Sequence, residues 1–128
     1  MTLPPYAQLL GLTIEPRDGE APLLVMPFAD SVLGRPGFLH GGAIAGLLEM
    51  AAIVALDYAL ADEGGGRIKP VNVTVDFMRG GRDKPTLAEG IVTRLGTRVA
   101  NVEAVAWQDD RTKPIASARM NYLIVRDS

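Results

Sequence analysis

Two features of the segment 37–60 could do chemistry: a glycine pair behind the chain's single histidine, and one glutamate inside an apolar run. His40, Gly41 and Gly42 stand directly before some twenty mostly apolar residues, and Glu49 lies among them. Backbone N–H groups in the first turn of a helix lack partners and can polarise a carbonyl oxygen. A carboxylate in apolar surroundings is costly unless it is paired or functional. The segment is therefore a candidate site for attack on an acyl carbonyl.

A purely structural role for Glu49 is the alternative. The carboxylate could pair with an arginine such as Arg98, or it could accept hydrogen bonds from backbone amides. A transmembrane helix explains the apolar run less well, because a charged residue near the middle of a single span is expensive. The many alanines and glycines of the run also favour a core helix in a soluble protein.

The spacing of Gly41 and Glu49 predicts an oligomer if both act on one substrate. They are eight residues apart, which is about 12 Å along a helix. They cannot both touch one carbonyl group within a single chain. The amide must then come from one protomer and the carboxylate from another, so this chemistry requires at least a dimer.

Composition restricts the remaining chemistry and the compartment. The 128 residues are enough for one domain, predicted to span 1–128, and there is no cysteine. One histidine and no cysteine leave too few ligands for a typical metal site, so no metal and no cofactor are expected. Nucleic-acid binding is not expected at a net charge of −2 with few aromatics. The first residues lack the pattern of a secretion signal, which predicts a cytoplasmic protein without membrane association.

The elements that must position the site follow from periodicity. A short helix is predicted at Tyr6–Leu10, a strand at 21–29, and one long helix from Gly41 to Leu60. Four strands at hairpin spacing are predicted to follow, at 71–78, 86–95, 98–108 and 114–125. In the first of these four strands, Val71, Val73, Val75 and Phe77 alternate with polar residues. The pattern predicts an α+β fold, with an antiparallel meander wrapped around a single apolar helix.

These residues resemble a known family, the hotdog-fold acyl-CoA thioesterases of the phenylacetate-degradation type. The resemblance rests on His40-Gly41-Gly42, on the acid nine residues after the histidine, on the long helix, and on the strand that ends "VDFMRGG". It implies a curved antiparallel sheet around the helix, and homodimers or homotetramers. It further implies hydrolysis of a small or medium acyl-CoA, with coenzyme A entering only as part of the substrate.

The resemblance also assigns roles to residues. Glu49 would be the general base or nucleophile, the Gly41 N–H would bind the oxyanion across the dimer interface, and His40 would orient the loop. Five further residues are candidates for binding the substrate, four of them in or after the strand that follows the helix: Gly42, Asn72, Arg79, Arg82 and Lys84.

The sequence departs from the family at three positions that are often polar, where it has Gly34, Ile53 and Pro70. Two other functions stay open, and these departures favour the first of them. One is a non-catalytic protein that binds an acyl-CoA or another acyl ligand. The other is a dehydratase of the same fold, in which His40 and Glu49 would act on a 3-hydroxyacyl thioester.

Overall fold

The computed structural model describes residues 2–126 as two helices and one sheet. The helices are α1 (Pro5–Leu9) and α2 (Gly41–Ala61); the strands are β1 (Thr13–Arg17), β2 (Glu20–Met26), β3 (Arg67–Phe77), β4 (Thr86–Leu95), β5 (Val99–Trp107) and β6 (Ala116–Val125). All strand pairs are antiparallel, in the order β1-β2-β4-β5-β6-β3. A single 3₁₀ turn, Asp30–Val32, precedes the loop that leads into α2.

Helix α2 is built from good helix formers and has a defined start and stop. His40 is the N-cap residue of the helix. After the last turn come Gly64 and Gly65, with φ of +90° and +83°. This left-handed backbone is cheap only for glycine. It allows the Gly65 N–H to donate to the carbonyl oxygen of Leu60 at 2.8 Å, which closes the last turn.

The sheet can wrap α2 closely because its inner face carries small side chains. Six alanines of β4, β5 and β6 are buried there: Ala88, Ala100, Ala104, Ala106, Ala116 and Ala118. At Gly90 no side chain fits at all, since a Cβ would collide with the carbonyl oxygen of Ala51. Helix α2 is long and apolar enough to cross a membrane, but 67% of its most apolar window is buried inside the domain, so it is the core helix.

Strand β3 is an edge strand that extends beyond the helix. Its register with β6 pairs Val73 with Met120 and Val75 with Ala118, both of which are buried, so the valines lie on the inner face. Val73 is nevertheless 49% exposed, because α2 does not reach this part of the sheet. One side of β3 therefore presents unpaired backbone and uncovered apolar side chains.

The predicted hotdog architecture is confirmed, with one strand missed. Both helices and the last three strands lie within about two residues of their predicted bounds, and β3 begins four residues earlier, at Arg67. Strand β1 was not predicted because its sequence, TIEPR, is short and contains a proline and two charges. Pairing with β2 stabilises this strand, although its local sequence does not favour one.

Candidate active site

The start of α2 is shaped by the ring of His40. Its Nδ1 accepts a hydrogen bond from the Gly42 N–H at 2.8 Å, which satisfies one of the free donors of the first turn. An acceptor Nδ1 leaves the proton of the neutral imidazole on Nε2. Gly42 must be glycine, since a Cβ would lie 2.9 Å from Nδ1. The Gly42 N–H is thus occupied, which corrects the expectation that both glycine amides are free for a ligand.

The Gly41 N–H is the amide that remains. Ala43 and Ile44 both donate to the His40 carbonyl oxygen, whereas Gly41 donates to no acceptor within residues 2–126. A Cβ on Gly41 would lie 3.4 Å from the Phe77 ring, so the end of β3 borders this amide. The geometry leaves a single N–H at a helix N-terminus, the kind of group that can polarise a carbonyl oxygen.

The loop before α2 is fixed by a second glycine pair. The His40 N–H donates to the Val32 carbonyl oxygen at 2.8 Å, and the Leu39 N–H donates to that of Gly81 at 2.9 Å. A Cβ at Gly80 or Gly81 would lie 2.8 Å from the side chain of Phe38 or Leu39, respectively. Glycine at both positions therefore lets the loop pack directly on the chain that leaves β3.

Glu49 lies on a stripe of α2 that the sheet leaves uncovered. At four-residue intervals, Ala45, Glu49 and Ile53 are partly exposed and Asp57 is exposed, while most other helix residues are buried. One curved sheet covers only part of the circumference of a helix. Within one chain Glu49 is therefore only partly covered, and its expected place at an interface between protomers stays a prediction.

No side chain or amide among residues 2–126 forms an ion pair or hydrogen bond with Glu49. The proposed partner Arg98 lies in the β4–β5 turn instead. The charge of Glu49 does act on Tyr122. Burial raises the pKa of the Tyr122 hydroxyl, and the negative charges of Glu49 and Asp57 raise it further. Burial also raises the pKa of Asp57. The carboxylate of Glu49 is thus available for a group from outside the chain.

Three predicted cations lie in one cleft at the opposite end of the sheet from the β4–β5 turn. Arg79, Arg82 and Lys84 line a cavity of ≈ 200 Å³, together with Lys113. Lys84 is paired with Asp109 at 2.6 Å. The guanidinium of Arg82 stacks on Phe38, 4.4 Å from the ring centroid, and Arg35 stacks on the same ring at 4.1 Å. The cavity and the four cations that line it are called the cationic cleft below: Arg79, Arg82, Lys84 and Lys113.

Asn72 is placed away from this region. Alternation along β3 puts it on the outer face of the sheet, where it accepts a hydrogen bond from Asn121 at 2.8 Å. Asn121 in turn accepts one from Asn101, which forms a ladder of amides across three strands. Within one chain, Asn72 thus lies on the face of the sheet opposite to α2 and Glu49, and its role in binding the substrate stays a prediction. The valines of β3 occupy the inner face of the sheet instead, because apolar side chains pack toward the core.

Comparison with known families supports the fold. The model of the "Thioesterase superfamily" matches residues 36–115, from the loop before α2 to the residue before β6.

The chain belongs to the thioesterase superfamily.

Known proteins of similar sequence and structure extend the match beyond that segment. The medium/long-chain acyl-CoA thioesterase YigI of Escherichia coli is 29% identical, over 94% of this chain and 85% of that protein. A crystal structure from Chromobacterium violaceum is 33% identical, with a TM-score of 0.77, and covers 97% of this chain and 85% of that one. A phenylacetic acid degradation-related protein of Ralstonia eutropha is 24% identical with a TM-score of 0.82, over 96% and 92%, which supports the fold. Thioester hydrolysis is therefore the supported class of chemistry.

Two contacts near the candidate site were not predicted from the sequence. The Tyr6 ring of α1 lies against Gly46 of α2, and Arg35 shares the Phe38 ring with Arg82. The only signal for the first was a glycine on the same side of the helix as Glu49. The arginine, proline and glycine just before Phe38 indicate a loop, but no spacing rule predicts that Arg82 stacks on the same ring as Arg35.

Proposed function

We propose that this protein hydrolyses a medium-chain acyl thioester of coenzyme A in the cytoplasm, at a site shared between two protomers. The sequence analysis predicts a small or medium acyl group, and the E. coli relative is named a medium/long-chain acyl-CoA thioesterase. Medium chains satisfy both. The proposal rests on two groups that have no partner within residues 2–126. One is the carboxylate of Glu49, on the open stripe of α2, and the other is the Gly41 amide at the N-terminus of the same helix.

Each group has one part in the reaction. The Gly41 N–H donates to the carbonyl oxygen of the thioester and stabilises the negative charge that develops on it. Glu49 removes a proton from the attacking water, or attacks the carbonyl carbon itself. The tetrahedral intermediate collapses by breaking its carbon–sulfur bond. In the general-base route, the thiolate takes the proton that Glu49 removed from water, and the acyl group leaves as a carboxylic acid. In the nucleophilic route, loss of the thiolate leaves the acyl group joined to Glu49 as an anhydride, which water then hydrolyses to the carboxylic acid and free Glu49, and the thiolate is protonated from that water.

The two groups come from different protomers in this proposal, because eight residues of helix separate them in one chain. The edge strand β3 supplies the surface for the second copy. It offers eleven residues of backbone with one free edge, and Val71, Val73 and Phe77 are each about half exposed. Long apolar edges of this kind pair with another chain. A homodimer, alone or within a homotetramer, buries that edge and brings a second α2 alongside the first.

The cationic cleft would hold the nucleotide end of coenzyme A. Its phosphate groups are anionic, and arginine presents a planar array of donors that suits them. Stacking on Phe38 fixes the plane of the Arg82 guanidinium and leaves its N–H edges free. The cleft begins at Arg79, two residues after Phe77, whose ring borders Gly41. A single ligand can therefore extend from the amide into the cleft.

Thiol release from acyl-CoA substrates of increasing chain length tests the proposal. We expect Glu49→Gln to lower kcat by about 10²- to 10⁴-fold, the usual contribution of a general base. Asp62→Asn, at the C-cap of the same helix, removes a carboxylate outside the stripe and should leave kcat unchanged. Undiminished turnover in Glu49→Gln would contradict the assigned role.

A protein that binds acyl-CoA without hydrolysing it is the second candidate, because Ile53 gives Glu49 no polar neighbour one turn further along the helix. Saturable binding of acyl-CoA by wild type, with no thiol release for any chain length, would favour that function. A dehydratase is less well supported, because the Nδ1 of His40 is occupied by the Gly42 N–H. Hydration of an enoyl-CoA would nevertheless reveal it.

A further inference from the structure

Tyr6 occupies the space that a side chain at position 46 would take. A Cβ on Gly46 would lie 2.7 Å from the Tyr6 hydroxyl oxygen and 2.8 Å from its Cε2, with Leu10 at 3.1 Å. Gly46 is buried for this reason, although it borders the uncovered stripe. The short helix α1 thus lays a phenol directly on the backbone of α2, in its N-terminal half.

This contact brings the phenol close to Glu49. Residues three apart on a helix have Cβ atoms about 5–6 Å apart, so the Tyr6 oxygen lies within about 9 Å of the Glu49 Cβ. The glutamate side chain can cover much of that distance. A hydrogen bond, direct or through one water, is within reach of the two side chains.

Neither group has another partner in the part of the chain that the structure describes. Within residues 2–126, the Tyr6 hydroxyl makes no hydrogen bond, and neither does the Glu49 carboxylate. Tyr6 is 45% exposed, so its ring borders the uncovered stripe of α2 and is not part of the core. Within the described part of the chain, a hydroxyl donor and a carboxylate acceptor without partners therefore border the same stripe of α2.

We propose that Tyr6 is a positioning residue for Glu49. Its hydroxyl donates a hydrogen bond to the carboxylate, directly or through a water, and holds the carboxylate toward the Gly41 amide of a second protomer. The inference rests on the proposed function. It also supplies the polar neighbour that Ile53 does not provide.

The central test is Tyr6→Phe, which keeps the ring on Gly46 and removes only the hydroxyl. We expect kcat for acyl-CoA hydrolysis to fall about tenfold or more, as for loss of a hydrogen bond to a charged group, with KM and melting temperature unchanged. Tyr58→Phe is the matched control, because Tyr58 is 40% exposed but projects from a different side of α2. Its kcat should equal that of wild type.

Two double variants show whether the hydroxyl acts through Glu49. Gly46→Ala displaces the phenol, so Tyr6→Phe should cause little further loss in that background. In the Glu49→Gln background, Tyr6→Phe should also change the residual rate by less than twofold. Additive losses in both backgrounds would overturn the inference.

Three other outcomes are decisive. Equal kcat in Tyr6→Phe and wild type would overturn the inference alone. A change confined to the KM of long-chain substrates would also overturn it, because the ring would then only line the acyl groove. A wild-type protein that releases no thiol from any acyl-CoA would contradict the proposed function and the inference together.

Discussion

The Nδ1 atom of His40 lies 2.8 Å from the Gly42 amide nitrogen and accepts its hydrogen. This contact determines which amide of the helix start is left free. With Gly42 bonded, the Gly41 N–H is the first-turn donor that can meet a substrate. The histidine therefore acts through the backbone, and its removal should disturb both the helix and the site.

Replacing His40 separates its capping role from any acid–base role. His40→Ala removes the cap, which should cost about 1 kcal/mol of the free energy of unfolding and lower kcat as the loop loosens. His40→Asn restores a good capping side chain but no imidazole. We expect Asn to recover most of the stability and kcat, measured by denaturant unfolding and thiol release. Recovery of stability without any recovery of kcat would mean that the ring itself takes part in the chemistry.

The apolar edge of β3 should control both assembly and activity. Val73→Asp places a charge on the uncovered inner face, where a second copy would bury it at high cost. We expect a folded monomer by light scattering and circular dichroism, with thiol release reduced to background. Val99→Asp is the matched control, since Val99 is 43% exposed on another part of the sheet. A dimeric, active Val73→Asp protein would place the interface elsewhere.

The cationic cleft should recognise the nucleotide end of the substrate and not its acyl end. Arg82→Ala should raise KM for acyl-CoA several-fold with kcat unchanged, because the phosphates lose a donor far from the thioester. The same acyl group on pantetheine, which lacks the nucleotide, should show equal KM in variant and wild type. Arg94→Ala, at the β4–β5 end of the sheet, is the control. An equal effect on both substrates would contradict nucleotide recognition in the cleft.

Glu89 on the outer face should make the fold sensitive to acid. Burial of Glu89 alone would raise its pKa, but hydrogen bonds and charges from Arg17 and Arg111 outweigh burial and lower it. A lowered folded pKa stabilises the protein above the ordinary glutamate pKa, and this stabilisation is lost as pH falls through the lowered value. Glu89→Gln should therefore lower the free energy of unfolding at neutral pH, and the difference from wild type should shrink on acidification. Glu103→Gln, exposed on the same face, should show no such difference.

The sequence predicted where the helices and strands lie better than which of their faces are covered. The length of α2 and the spacing of the last three strands follow from composition and turns, so they were predictable. The open stripe that carries Glu49 was not, because how far a sheet wraps a helix depends on the inner alanines and on Gly90. Asn72 is different, since the alternation of β3 already separated it from the valines that pack inward.

Contacts between distant segments were beyond reach. Tyr6 and Gly46 are forty residues apart, and nothing in either segment indicates that a phenol lies on that glycine. The pairing of β1 with β2 is likewise a tertiary effect that overrides a poor local strand sequence.

The central claim, a site shared between protomers, can be tested by mixing two inactive chains. Glu49→Gln removes the carboxylate. Gly41→Pro removes the free N–H at the first helical position, where proline is tolerated, and His40 before it already has extended backbone. Gly41→Ala, which keeps the N–H, is the control for the added side chain.

Each inactive variant should retain at most about one hundredth of the wild-type kcat, from loss of the base or of an oxyanion donor. A mixed dimer contains one complete site, formed by Glu49 of the Gly41→Pro chain and Gly41 of the Glu49→Gln chain. After refolding an equal mixture, half of the dimers are mixed and one of their two sites is intact, so thiol release should recover to about a quarter of wild type. No recovery in mixtures that contain mixed dimers would contradict a shared site.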